Sequence, residues 1–252
     1  MAYDFVPEQA AAFLILFARI GAVLMLLPVF GEDAVPGRIR LLIALGTTIG
    51  LWGLLADQAM PAAAQGDALP AILVTELLIG LGIGLLVRIM WQAVAIAGSI
   101  VSLQVGLSSA VIFDPAQNGQ APLLSKFVSV AAAVTCMAMA VHHLWIASIV
   151  RSYGLFPVGA VPPAGDFATL ALHTATRSMT LGLGLAAPLL VYGIVFNVGL
   201  GLAARLAPAL QVFFVAQPLN LLLGLALFAT VIGAMLTGFA TAMAAWIEAG
   251  WS

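Results

Sequence analysis

Long apolar runs alternate with short polar breaks along this chain, and the runs are too long for strands. Residues 10–29 (AAAFLILFARIGAVLMLLPV) predict a helix able to cross the roughly 30 Å hydrocarbon core at about 1.5 Å per residue. Arg19 stands at its middle, where a charge costs roughly 2.5–3.5 kcal/mol unless it is paired or faces protein. Either an ion pair or carbonyl contact with another helix, or a snorkelling side chain in a helix that crosses obliquely, satisfies that demand. Residues 30–40 predict a turn carrying Glu32, Asp33, Arg38 and Arg40, and residues 39–56 a second apolar run. Residues 57–69 (DQAMPAAAQGDAL) read as an acidic break. The run over 70–112, interrupted only by Glu76, Arg88 and Gln92, exceeds one crossing. It predicts two helices or one helix that extends beyond the bilayer. The glycines of GLGIG (80–84), with Gly98 and Gly106, predict close helix packing.

The stretch over 103–126, LQVGLSSAVIFDPAQNGQAPLLSK, breaks the pattern. Gly106, Asp114-Pro115, Asn118-Gly119 and Pro122 stop helices and form turns, and Asp114 is pushed out of the α region by the proline that follows. Residues 110–113 are nevertheless apolar, unlike a solvated loop. In a membrane protein, irregular backbone persists at depth only where it is buried in protein or lines a cavity. This segment is the expected functional centre; an ordinary interhelical loop is the plainer reading.

Residues 127–150 form the next run, ending in His142-His143-Leu144-Trp145. Adjacent histidines point about 100° apart on a helix and cannot chelate one ion from a shared face. Residues 151–166 predict an ordered, turn-rich loop. Residues 167–206 and 209–246 then form two runs, each longer than one crossing, that predict a hairpin kinked at Pro188. Its tip spans residues 205–218, with Arg205, Pro208, Gln211, Phe213 and Pro218.

Composition sharpens this picture. Of 252 residues, 63% are hydrophobic and 7% charged, and the mean hydropathy is +1.18; a soluble domain carries about 25% charged residues. The fold class is an all-α integral membrane protein made of long, kinked helical hairpins. The net charge of −2, without a basic run, argues against nucleic acid as a partner. The single Cys136, inside an apolar run, excludes an intrachain disulfide and reads as a small buried hydrophobe. Asp4 and Glu8 stand where a cleavable signal would be positive, so the first run is expected to act as the insertion signal. Basic residues place 38–40 and the tip at Arg205 on the cytoplasmic side, and 57–67 outside. No nucleophile–base set, HExxH, phosphate loop or paired intramembrane carboxylates is visible, so neither an enzyme nor a cofactor or metal site is expected. Arg19, Glu76 and Arg88 are the candidate structural intramembrane charges. With Lys126 and Arg177 they make five ionisable groups scattered along the chain, weak support for the midplane ion site of a secondary transporter, and no repeat relates the halves.

The order of motifs says more. RIGAVLMLLPVFG (19–31) with Val35-Pro36, GLSSAVIFDPAQNGQAPLLSKF (106–127), His143-Leu144-Trp145, SYGLFPVG (152–159) and AAPLLVYGIVFNVGLGLAARLAPALQVFFVAQPLNLLLG (186–224) together resemble the FliR family. That family holds the R component of the flagellar export gate and is homologous to the T component of injectisome type III secretion. The resemblance covers nearly the whole chain. It departs at His142, where the family often has glycine, and at Pro208-Ala209-Leu210-Gln211, where it often has Pro-Gln-x-Asn. The GLSSAVIFDP form looks like the flagellar branch.

The resemblance implies a FliP-like part over 1–166, with a central plug loop at about 106–122, and a FliQ-like hairpin over 167–252. It also implies assembly with FliP and FliQ, docking of FlhB and FlhA, a place in the bacterial inner membrane at the flagellar basal body, and passage of unfolded flagellar subunits. Under that reading Gly106, Ser108, Ser109 and Gly119 give the plug backbone its freedom. Val111, Ile112 and Phe113 seal the pore by dewetting, and Asp114-Pro115 fixes the turn. The alternatives are a small-solute secondary transporter and a scaffold subunit that only completes an assembly.

Overall fold

The structure, a computed structural model, describes residues 8–30, 35–106, 123–160, 164–207 and 211–251. Among these it is helical, with no strand. The helices are α1 (Glu8–Leu26), α2 (Gly37–Ala63), α3 (Leu69–Val105), α4 (Leu123–Ala138), α5 (Val141–Leu155), α6 (Ala164–Leu206) and α7 (Val212–Glu248), with a short 3₁₀ turn at Gly66–Ala68. Of these, α1, α2, α3, α6 and α7 are long and apolar enough to cross a membrane, and α4 with α5 makes a further pair bent by 75°.

The run over 70–112 resolves into one helix, not two, as far as Val105. At 37 residues α3 is about 55 Å long, and α6 at 43 residues is about 64 Å, roughly twice the hydrocarbon thickness. Several polar breaks turn out to be helical. Helix α2 continues through Asp57 and Gln58, both exposed, and through Pro61 to Ala63. Hydropathy reports the medium around a helix, whereas Ala, Gln and Met are good helix formers in any medium. Helix α5 likewise absorbs Arg151–Leu155, so the turn-rich stretch starts only at Phe156. In the opposite sense, the run over 127–150 is broken after Ala138, with Ala140 in the left-handed region (φ 59°).

The chain divides into two compact units. One comprises Met1–Met90, His142–Ala175 and Trp246–Ser252. In it α1 is more than half buried, with Ile15, Leu16, Ile20 and Arg19 at 0% exposure. Gly80 and Gly84 let α3 lie directly on α1: a Cβ at Gly80 would stand 2.5 Å from the Arg19 carbonyl oxygen, and one at Gly84 2.8 Å from Leu26 Cβ. At the end of α7, Gly250 (φ 74°) closes a Schellman turn, its N–H donating to the Ile247 carbonyl while that of Trp251 donates to Trp246.

The other unit comprises Trp91–Val141 and Thr176–Ala245. Gly182 packs against Ala93 and Ile96, and Gly193 against Gln104, so α6 runs parallel to α3 there. Gly224 against Val105, and the edge-on rings of Trp91 and Phe239 (5.2 Å), set α7 antiparallel to α3. Residues Val94, Ala97, Val128, Leu185, Met235 and Phe239 surround a narrow apolar crevice.

Candidate functional site

Two polar clusters stand out in an otherwise apolar chain. The first is in the unit that contains α1. Arg19 meets Glu76 side-on, with Nε donating to Oε2 at 2.6 Å and Nη2 to Oε1 at 2.9 Å. Both residues are fully buried. The other guanidinium N–H groups point at the end of α5: Nη1 at the Ser152 carbonyl (3.2 Å) and hydroxyl (3.5 Å), Nη2 also at the Phe156 carbonyl (2.9 Å). All five donors of the guanidinium are thereby directed at acceptors. The Tyr153 ring covers its face at 4.1 Å, and the Gly159 N–H donates to Glu76 Oε1 at 3.1 Å. Gly159 reaches this position with φ 79°, which suits glycine. The carbonyls ending a helix carry partial negative charge, so a buried cation fits there; that of Ser152 also accepts from the Phe156 N–H at 2.8 Å, so the guanidinium is its second donor. Of the two readings of Arg19, the structure takes the ion pair and carbonyl contact.

Arg88, grouped with these charges on sequence, stands apart. It is exposed, without an ion-pair partner among the described residues. The exposed positions of α3 before it are apolar (Pro70, Ala71, Val74, Leu77, Leu78, Leu81, Leu85), whereas those after it include Gln92 and Ser99.

The second cluster is at the two roots of the central break. Gly106 ends α3 with φ 87°, its N–H donating to the Leu103 carbonyl. The Gln104 carbonyl, one of the four that the helix leaves without an internal donor, accepts from Asn220 Nδ2 at 3.2 Å. Asn220 Oδ1 in turn accepts from the Tyr192 hydroxyl at 2.9 Å. A Cβ on Gly106 would come 3.1 Å from that same Asn220 amide nitrogen and 3.4 Å from Gln217 Oε1. The Gln104 side chain occupies the space a Cβ on Gly193 would need. At the returning root, Ser125 packs so closely on α3 that a Cβ at Gly98 would stand 2.7 Å from its Cα. Its hydroxyl donates to the Ala95 carbonyl at 3.2 Å, which Ser99 also bonds.

Of the plug residues expected from sequence, Gly106 is in this cluster. Ser108, Ser109, Val111, Ile112, Phe113, Asp114, Pro115 and Gly119 lie outside the described residues, as does Pro208 of the hairpin tip. Arg205 is exposed in the last turn of α6, and Gln211 is exposed just before α7. Phe213 and Pro218 belong to α7, not to a loop: the helix starts at Val212, so the tip is shorter than the expected 205–218. Sequence pattern does not single out Tyr192, Asn220 or Ser125. Only Asn220, an amide inside an apolar helix, carries a signal there.

His142 and His143 lie with ring centroids 4.1 Å apart at the bend between α4 and α5. Among the described residues no group of three His, Cys, Asp or Glu side chains is placed to hold a metal.

Long apolar helices, a buried ion pair and helix-packing glycines make this an α-helical multi-pass membrane protein. Residues 10–246 match the family described as bacterial export proteins, family 1, and the chain belongs to that family, which is the family of the FliR proteins. The flagellar biosynthetic protein FliR of Caulobacter vibrioides is 40% identical over 215 residues, covering 85% of this chain and 86% of its own. That of Escherichia coli is 32% identical over 213 residues, covering 84% and 80%. The Yop proteins translocation protein T of Yersinia pestis is 24% identical over 225 residues, covering 87% and 85%.

Proposed function

We propose that this chain is a component of the flagellar type III protein export apparatus. In this reading it sits in the bacterial inner membrane at the flagellar basal body and forms, with FliP and FliQ, the channel that passes unfolded flagellar subunits. FlhB and FlhA dock on that assembly. The observation that carries the reading is the match to an export family along almost the entire chain, with FliR proteins among its relatives. Residues 1–166 act as the FliP-like part and 167–252 as the FliQ-like hairpin. Helices about twice as long as the bilayer is thick, with exposed apolar faces on α2, α6 and α7, favour a chain that buries its flanks on sister subunits.

The central break acts in this reading as the pore plug, with Gly106, Ser108, Ser109 and Gly119 giving freedom and Val111, Ile112 and Phe113 the sealing surface. What supports it is that both roots are held, the outgoing one at the end of α3 by Asn220 of α7 and the returning one by Ser125 against α3, on an otherwise apolar scaffold. Native mass spectrometry of the complex extracted in mild detergent tests the assembly. Two smaller partners, each in several copies, are expected, and a chain that is stable alone overturns it. Deletion of residues 106–119 tests the plug: the purified complex in planar bilayers should become leaky to ions, and an unchanged conductance removes the plug from the mechanism.

A further inference from the structure

We infer that Tyr192 and Asn220 are positioning residues: they clamp the last turn of α3 and fix where the chain leaves it at Gly106. Three helices contribute. Asn220 of α7 donates through Nδ2 to the Gln104 carbonyl, a group that the helix end leaves without an internal donor. Tyr192 of α6 holds the Asn220 amide from the other side, its hydroxyl donating to Oδ1 at 2.9 Å, with the Asn220 carbonyl also 3.2 Å away. The amide is therefore oriented: its oxygen is engaged by the tyrosine, so its nitrogen is presented to α3. The environment gives this short chain of bonds its weight. Apart from the Gln217 amide near Gly106, the helices around it present mainly aliphatic side chains, which offer no donor to the Gln104 carbonyl. Packing reinforces the clamp. Gly193, next to Tyr192, leaves room for the Gln104 side chain, and Gly224, one turn beyond Asn220, brings α7 to 3.1 Å from Val105 Cα when a Cβ is built on it. Gly106 follows at φ 87°, against the Asn220 amide, so any side chain there would press on the clamp itself.

The consequence for leakage rests on the proposed plug reading, and the test separates the two. Tyr192→Phe removes one hydroxyl and Asn220→Leu keeps the volume while removing the amide. Both are read in the assembled complex reconstituted in nanodiscs, by hydrogen exchange of the amides over residues 102–106. Loss of a bond at a helix end should speed exchange of that turn about five- to tenfold, with residues 90–98 of α3 unchanged as the internal control. Unchanged exchange at 102–106 in both variants overturns the clamp. Exchange that rises equally along α3 also overturns it, because the residues then serve only general packing. The ion leak of the same complexes in vesicles is read in parallel. Faster exchange with a raised leak supports clamp and plug together; faster exchange with an unchanged leak supports the clamp and overturns the plug.

Discussion

In one unit of this chain, Arg19 and Glu76 are completely buried, charged and surrounded by acceptors and donors on every side; in the other, Tyr192 and Asn220 are half-buried, neutral and joined by a single file of bonds. Both clusters tie three elements together, but the cost of breaking them differs. A buried ion left without its partner retains its full desolvation penalty, so the first cluster holds only when every member is present. A half-exposed amide can turn to water or to another carbonyl when its bond is lost. The first arrangement suits a fixed junction between α1, α3 and the end of α5, the second a place where a helix end can be released.

The largest effect should come from unpairing the ions. Arg19→Met or Glu76→Met each leaves a buried charge, and each is expected to destabilise by about 3–5 kcal/mol, seen as loss of monodisperse protein in detergent. The double variant should recover part of that loss. It should not recover all, because the Phe156 carbonyl and Gly159 N–H, now bonded to Arg19 and Glu76, would be left without those partners. A double variant as stable as the parent would mean that these backbone bonds contribute nothing.

A smaller effect separates the clusters by the stiffness of what surrounds them. Gly80→Ala puts a methyl group 2.5 Å from the Arg19 backbone oxygen and 2.7 Å from Ala22 Cβ, so whole helices must part, at about 1–3 kcal/mol. Gly193→Ala also overlaps a neighbour, but the neighbour is the flexible amide end of Gln104. It should cost about 1 kcal/mol or less, since a side chain can change rotamer where backbone cannot. Thermal unfolding of the two variants in the same detergent measures the difference. Equal losses would show that the second cluster is as rigid as the first.

The two clusters are also unequally legible from sequence. Arg19 announces itself as a charge in an apolar run that needs a partner, and Glu76 as one of the few other charges in such runs, but that the two meet is shown only by the structure. Their other partners carry no such mark: the Ser152 and Phe156 carbonyls and the Gly159 N–H are backbone groups that no side-chain identity signals. The all-α membrane fold and the overlong hairpin follow from run lengths alone. The helix ends do not. The α4–α5 bend falls at Met139-Ala140, where neither glycine nor proline warns of it, and α2 passes through Asp57 and Gln58 because backbone bonds form in water as well as in lipid, ending at Ala63 just after Pro61. Gly80, Gly84 and Gly98 are legible as packing sites from their place in apolar runs. What they pack against, Gly80 on the Arg19 carbonyl and Gly98 on Ser125, depends on tertiary register that a single sequence does not encode locally.

The smallest effect compares one substitution at both places. Tyr153→Phe and Tyr192→Phe each delete a hydroxyl. At Tyr153 the hydroxyl makes a long contact, 3.4 Å, to the carbonyl of Leu16 inside α1. That carbonyl lies mid-helix, where the backbone supplies a donor of its own. The phenyl ring remains over the guanidinium at about the same place, keeping its quadrupole attraction for the cation. Global stability should therefore change by about 0.5 kcal/mol or less. At Tyr192 the bond is shorter and its acceptor, Asn220 Oδ1, has no helix donor to fall back on, so the loss should be about 1 kcal/mol. Chemical unfolding of the pair decides it. If Tyr153→Phe proves the costlier, its hydroxyl is bonded more tightly than 3.4 Å implies, and the contrast between a saturated ionic junction and a thin neutral one has to be redrawn around that hydroxyl.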